Sequence, residues 1–222
     1  MPPVMDADDT RVAALYTGFL KRHGPTYRAL HWSSPESQQE RFARLAAVGL
    51  KPGQSVLDVG CGLGDFLGWL EAQGVLVDYT GLDMTPAMIE HCRATHPRGR
   101  FVVGNVAAGP MPTLARFDWV VASGIFAFRQ SEPEVYMRSV IERLWRLARC
   151  GVAFNALSTR APHPERWSLF HADPEATLAF CQALGGTCRL THTADHSDFT
   201  VHLWRDAHSA SEAKLLAAVP SE

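Results

Sequence analysis

Residues 55–66 read Ser55-Val56-Leu57-Asp58-Val59-Gly60-Cys61-Gly62-Leu63-Gly64-Asp65-Phe66. A short β-branched run ends in a glycine-rich turn and continues at once into the helical pattern DFLGWLEAQ. Glycines at a strand-to-helix turn permit positive φ and let a ligand approach the backbone beside the positive end of the helix. Spacing separates the ligands such a turn can serve. A dinucleotide fingerprint needs G-x-G-x-x-G. Here the third glycine falls one place early, at Gly64, and Asp65 holds the expected position, so the match is to G-x-G-x-G.

Downstream, the chain alternates strand-like and helix-like segments: DYTGLD, PAMIEHCRATH, RFVVGN, a strand over 117–124, a periodic helix over 132–149 and a strand over 151–158. Alternation of this kind predicts a parallel sheet with crossover helices. A helix over 173–184 follows, with Pro174 in its first turn, and strands over 187–193 and 199–206 flank the turn Asp195-His196-Ser197-Asp198 as an edge hairpin. Upstream, apolar periodicity predicts a helix over 7–22, and Ser34-Pro35 opens a second over 35–48. The resulting organisation is a helical lid over 1–53, a core over 54–206 and a tail over 207–222, all in one structural domain.

The composition suits that size. Of 222 residues 46% are hydrophobic and 20% charged, enough to bury one core without disulfides or metals, whereas two full domains would be cramped. Five cysteines, odd in number and without a CxxC pair, predict reduced thiols and no zinc site. Basic residues number 21 against 23 acidic ones, a net charge of -2, which argues against tight binding to a nucleic acid backbone. The opening MPPVMDADDT is unlike a signal peptide, and no apolar run approaches the roughly 20 residues that span a bilayer. The expectation is a cytoplasmic protein with no membrane partner, as a monomer or homodimer.

The run Val56 to Gly64 closely resembles motif I of class I S-adenosylmethionine-dependent methyltransferases. Asp83, ending the next strand, matches the acidic residue that in this family holds the ribose hydroxyls. Gly104-Asn105-Val106 resembles the segment that contacts the adenine amino group, with Asn105 where the family usually has Asp. Ser123-Gly124-Ile125-Phe126 stands where the family faces methyl donor and acceptor. The resemblance implies an α/β fold, a doubly wound, seven-stranded, mostly parallel sheet with an antiparallel last strand, beneath the N-terminal helical lid. It also implies S-adenosylmethionine as cofactor, held by Asp58, Gly60, Cys61, Gly62, Gly64, Asp83, Met84, Met88, Asn105, Val106, Ser123 and Gly124, with Arg41 reaching the methionine carboxylate. Asp58, mid-strand in an apolar run, is expected to order the glycine loop through backbone amides.

Methyl transfer from a sulfonium is an in-line displacement that asks of the protein chiefly positioning. Tyr16, Tyr27, Trp32, Phe126 and Phe128 are the candidate acceptor wall, and His31 and His171 the candidate bases for an acceptor that must lose a proton. Ten histidines show no HExxH spacing, so no metal is expected. SGIF is not the Asn/Asp-Pro-Pro-aromatic motif that in such families is associated with exocyclic amines of bases or with glutamine amides, and no Pro-Cys stands at that strand end. With the near-neutral charge, this favours a small-molecule acceptor, with the segment 159–170 and the lid setting specificity. The alternatives are an RNA or protein methyltransferase, or a non-catalytic S-adenosylmethionine-binding protein.

Overall fold

In the computed structural model, residues 5–108, 115–162, 164, 167–192 and 197–205 are described. The expected tail over 207–222, part of the segment 159–170 and Asp195-His196 of the hairpin turn lie outside them. The elements follow in the order α1 (Ala7–His23), a 3-10 turn (Tyr27–Leu30), α2 (Pro35–Ala46), β1 (Ser55–Val59), α3 (Asp65–Ala72), β2 (Asp78–Asp83), α4 (Pro86–Thr95) and β3 (Arg100–Val103). Then come β4 (Phe117–Ala122), α5 (Pro133–Leu147), β5 (Ala148–Leu157), α6 (Pro174–Ala183), β6 (Thr187–His192) and β7 (Asp198–Trp204).

The strands form one 7-stranded sheet in the order β3-β2-β1-β4-β5-β7-β6. β1 to β5 are mutually parallel, and β7 runs antiparallel between β5 and β6. The fold class expected from the sequence is therefore present. The largest boundary shift is at β5, which starts at Ala148, inside the expected helix, because that residue leaves α5 in extended conformation and pairs with Phe117 across a register irregularity.

Strand residues alternate between two buried faces, which is why they read as nearly unbroken apolar runs. Leu57, Val120 and Phe154 join α5 and α6 in one cluster, while Val56, Trp119, Val121 and Ala153 join α2, α3 and α4 in the other. Helix α2 is thus a core layer. Its cap is Ser34, whose hydroxyl accepts the amide of Ser37 at 3.1 Å. The indole Nε1 of Trp204 donates to the Val48 carbonyl just beyond it at 2.8 Å. Helix α1 and the 3-10 turn instead pack on the glycine loop through Tyr16, Leu20 and Leu30 against Leu63 and Met88.

Two buried polar groups hold this arrangement with opposite pH dependence. Asp58 is only 4% exposed, and its carboxylate accepts the Tyr79 hydroxyl of β2. That corrects the expected tie to the glycine-loop amides, which bond elsewhere. Burial raises the Asp58 pKa to about 7 against the hydrogen bond from Tyr79, which lowers it. His202 shares a 2.8 Å hydrogen bond with the Arg44 carbonyl, and burial holds it down to about 4.

Close strand packing predicts one sensitive glycine. A Cβ on Gly151 would stand 2.4 Å from the Leu203 carbonyl oxygen and 2.8 Å from the Trp119 ring, and a backbone carbonyl of a central strand has little room to yield. Gly151→Ala should cost about 1–3 kcal/mol in urea unfolding; an unchanged midpoint would refute the crowding. The titrations give a second expectation. Between the ordinary carboxylate value and about 7, folded Asp58 keeps a proton that the unfolded chain has lost, so its contribution falls as pH rises. His202 acts oppositely from about 4 up to its ordinary 6.5, since there the unfolded chain binds the extra proton. Asp58→Asn removes only the falling contribution, so from pH ~5 to ~7 its stability should gain on the parent by about 1–3 kcal/mol. Parallel stability profiles for the two proteins would exclude that titration.

Candidate active site

β1 lies between β2 and β4, so the chain crosses over in one direction from β1 to β3 and in the other from β4 onward. The carboxyl ends of β1 and β4 form the switch point where open α/β sheets leave a crevice. The β1 turn adopts positive φ at Gly60 (73°) and Gly62 (54°), a region that side chains with a Cβ rarely enter. The amides of Gly60 and Cys61 both donate to the Leu82 carbonyl, at 2.7 and 3.1 Å. The Gly62 amide donates to Oδ2 of Asp83 at 3.0 Å, and the Thr85 amide to Oδ1 at 2.8 Å. Burial raises the pKa of Asp83, and these amides act to lower it.

Around this turn lies an open cleft. Of the residues expected to hold a cofactor, Gly60, Gly62, Asp83, Met84, Met88, Asn105 and Val106 line it. Asp58, Cys61, Gly64 and Ser123 are not among its walls. Cys61 is a buried thiol pushed to high pKa first by its hydrogen bond with Cys92 and then by burial. Gly64 caps α3 at φ 79°, where a Cβ would meet His96 at 2.8 Å, so it serves helix packing. Ser123 accepts the side-chain amide of Asn155 at 3.0 Å. Wall residues that sequence reading missed are Val12, Leu30, Leu82, Thr85 and Tyr136. The helical repeat linking Val12 to Tyr16 is the signal that could have found the first.

A second cavity shares Tyr16 and Leu30 with the cleft and is lined further by His31, Trp32, Arg41, Gly124, Phe128, Leu157 and Leu169. Gly124 is positioned by Asn155 of β5, whose Oδ1 accepts its amide at 2.8 Å. Asn155 was not singled out from the sequence; a polar residue amid the apolar run of a central strand was its signal. Leu169 is brought in by the segment after β5, which bridges to Phe128. His31 adopts left-handed φ (63°), stacks on Phe19 at 5.3 Å and lies 5.6 Å from the Phe128 ring.

Three expectations are corrected, for Phe126, Tyr27 and His171, and Arg41 gains a protein partner. Phe126 is 2% exposed and packs edge-on against Phe154 in the core, so Ile125 and Phe128 face the cavities in its place. Tyr27 borders a separate surface groove and accepts a hydrogen bond from Arg28. His171 lines cavities beside α5 and α6, away from both sites. Arg41 belongs to the second cavity; it pairs with Asp198 of β7 at 3.0 Å and lies 5.0 Å from the centre of the Trp32 ring.

Among the described residues no group of three His, Cys, Asp or Glu is placed to hold a metal ion, and no helix is long and apolar enough to cross a membrane. The cleft's donor set fits a nucleoside. Asp83 sets a carboxylate, an acceptor suited to a vicinal diol, in the cleft wall, while Met84, Met88 and Val106 offer apolar surface to a planar base.

Comparison with known proteins agrees. A family model described as "Methyltransferase domain" matches residues 56–151. A Mycobacterium tuberculosis protein named as a methyltransferase is 31% identical over 153 residues, 66% of this chain and 90% of that protein. In structure, the chain resembles magnesium protoporphyrin IX methyltransferase of Synechocystis with bound SAH (TM-score 0.65, 18% identity, 89% of this chain and 100% of that one). It also resembles the small RNA methyltransferase HEN1 (TM-score 0.63, 12% identity, 79% of this chain and 26% of that one). At such identities these likenesses speak for the fold, and the sequence relative carries the family. The chain belongs to the class I S-adenosylmethionine-dependent methyltransferases.

Proposed function

We propose that the chain transfers the methyl group to a small molecule that binds in the second cavity. The observation carrying this reading is that two cavities, one suited to a nucleoside and one walled by aromatic rings, meet at Tyr16 and Leu30. When bound, S-adenosylmethionine supplies an electrophilic methyl on a sulfonium.

In this reading Asp83 holds the ribose hydroxyls, Gly60 and Gly62 allow close backbone approach, and Met84, Met88 and Val106 flank the adenine. Tyr16 stands at the junction. Burial, and secondarily the charge of Asp83, raises its pKa, so the phenol stays protonated and presents a neutral ring and a donor. Aromatic walls favour a cation near the junction in the ground state and planar acceptors beside it. His31 is the base candidate that the second cavity retains, for an acceptor hydroxyl or ammonium that must lose a proton.

Asp83→Ala should weaken binding of S-adenosylhomocysteine by about 1–3 kcal/mol in isothermal titration. Unchanged affinity in a folded variant would remove Asp83 from the site. For the acceptor, label from methyl-tritiated S-adenosylmethionine should enter the protein-free, low-mass fraction of a cell extract and resist ribonuclease. Label confined to RNA or to protein would overturn the small-molecule reading.

A further inference from the structure

The second cavity has two unlike sides. Phe128 and Leu169 give it apolar surface, whereas Ser33, Ser37, Ser197 and Arg41 bring hydroxyls and a cation. Among the described residues no aspartate or glutamate lines it, so Arg41 is the permanent charge that this cavity presents.

Arg41 is 9% exposed, and a guanidinium so far from water needs partners. They stand on α2 and β7. Nη1 donates to the Ser37 carbonyl at 2.6 Å and to the Ser37 hydroxyl, and Nη2 donates to Oδ1 of Asp198 at 3.0 Å. Arg44 approaches the same Asp198 oxygen at 3.8 Å, so two guanidinium groups converge on one buried carboxylate, and Glu40 pairs with Arg44 at the exposed end. Asp198 itself is not a wall of the cavity. Three of the five N–H donors of Arg41 are thus engaged, and Nε and one hydrogen of Nη2 have no partner among the described residues.

Trp32 sets where that cation stands relative to the junction of the two cavities. The Arg41 guanidinium lies 5.0 Å from the centre of its ring, and the far edge of the indole rests on the turn after β4, where a Cβ on Gly124 would be 3.2 Å from Cη2 of Trp32. Arg41 does not line the cleft. A group bound to it therefore lies to one side of the junction at Tyr16 and Leu30.

We infer that the methyl acceptor carries a carboxylate, which Arg41 anchors on the α2 side of the second cavity while the rest of the molecule lies against the aromatic rings. The inference rests on the proposal that this cavity receives a small-molecule acceptor. One guanidinium balances one negative charge, and two remaining N–H donors serve two carboxylate oxygens, whereas a phosphate dianion would be left half compensated. Ser37, Asp198 and Trp32 already hold the guanidinium, so little side-chain freedom is lost when the carboxylate docks. Arg41 is then the residue that selects acceptors by charge.

The test uses the full chain, methyl-tritiated S-adenosylmethionine and the low-mass fraction of a cell extract as acceptor. Converting the carboxylates of that fraction to methylamides with a carbodiimide and excess methylamine should lower transfer at least about tenfold, while prior phosphatase treatment should leave it unchanged. Undiminished transfer to the amidated fraction, or loss after phosphatase, overturns the carboxylate. Arg41→Gln should raise the amount of untreated fraction needed for half-maximal transfer by at least about tenfold, with S-adenosylhomocysteine affinity in isothermal titration kept within about threefold. Affinity for S-adenosylhomocysteine falling in step with transfer would give Arg41 to the cofactor and overturn the inference. If Arg41→Gln does not fold, Arg41→Lys serves; it keeps the charge without the fork, so half-saturation should still rise, and an unchanged value refutes the anchor. Label found only in RNA or protein would overturn the small-molecule reading as a whole, a result distinct from transfer to an amidated small molecule.

Discussion

The constraint on which the rest depends is the reversal of strand order between β1 and β4. Parallel strands joined by helices cover both faces of the sheet, but where the winding changes direction the helices diverge and the carboxyl edge stays open. Two turns end there, at Gly60 to Gly64 and at Ser123-Gly124, and each is held by a side chain from an adjoining strand. Asp83 at the end of β2 takes the Gly62 amide, and Asn155 of β5 takes the Gly124 amide. Both bonds are made by the protein's own side chains, which fix the backbone of the two turns.

The N-terminal helices finish the site in two different ways. Helix α2 belongs to the core layer, and its Arg41 reaches across to Asp198, a buried pair whose net contribution to stability is expected to be small but whose geometry fixes α2 relative to β7. Helix α1 and the 3-10 turn contribute Val12, Tyr16 and Leu30 to the cleft. A Cβ on Gly62 would lie 2.6 Å from the Leu30 side chain, so the lid rests directly on the glycine loop. Tyr16 and Leu30 are walls of both cavities, and the partition between the two is therefore built from the lid.

The fold was legible because its signals are local and redundant: glycines at a strand end, apolar runs buried on both faces, prolines in first turns. Gly60, Gly62 and Asp83 were legible for the same reason, since a backbone turn and the strand ending beside it leave few geometries. Residues after β4 were less so. In an irregular turn neither the period of a strand nor that of a helix assigns a direction, and Phe126 enters the core while its neighbour Ile125 faces the cleft. Asp58 was placed with the wrong partner, and the pairing of Arg41 with Asp198 was not foreseen, because Tyr79 and Asp198 are brought to them by sheet order and by the docking of α2. His171 was drawn in by its chemistry alone; the path of the segment after β5 carries it to the side of α5 and α6.

The seat of α2 also has a consequence in time. Arg41, Arg44 and Val48 take their polar partners from Asp198, His202 and Trp204, all on β7, the last described strand. Contacts so distant in sequence close the longest loops of the chain, and loop closure must precede any gain from them. During synthesis from the N-terminus, α2 emerges early and its docking surface late. Until β7 slots between β5 and β6, the apolar side of α2 has only part of its support, and the assembly of this layer waits on the far end of the sheet.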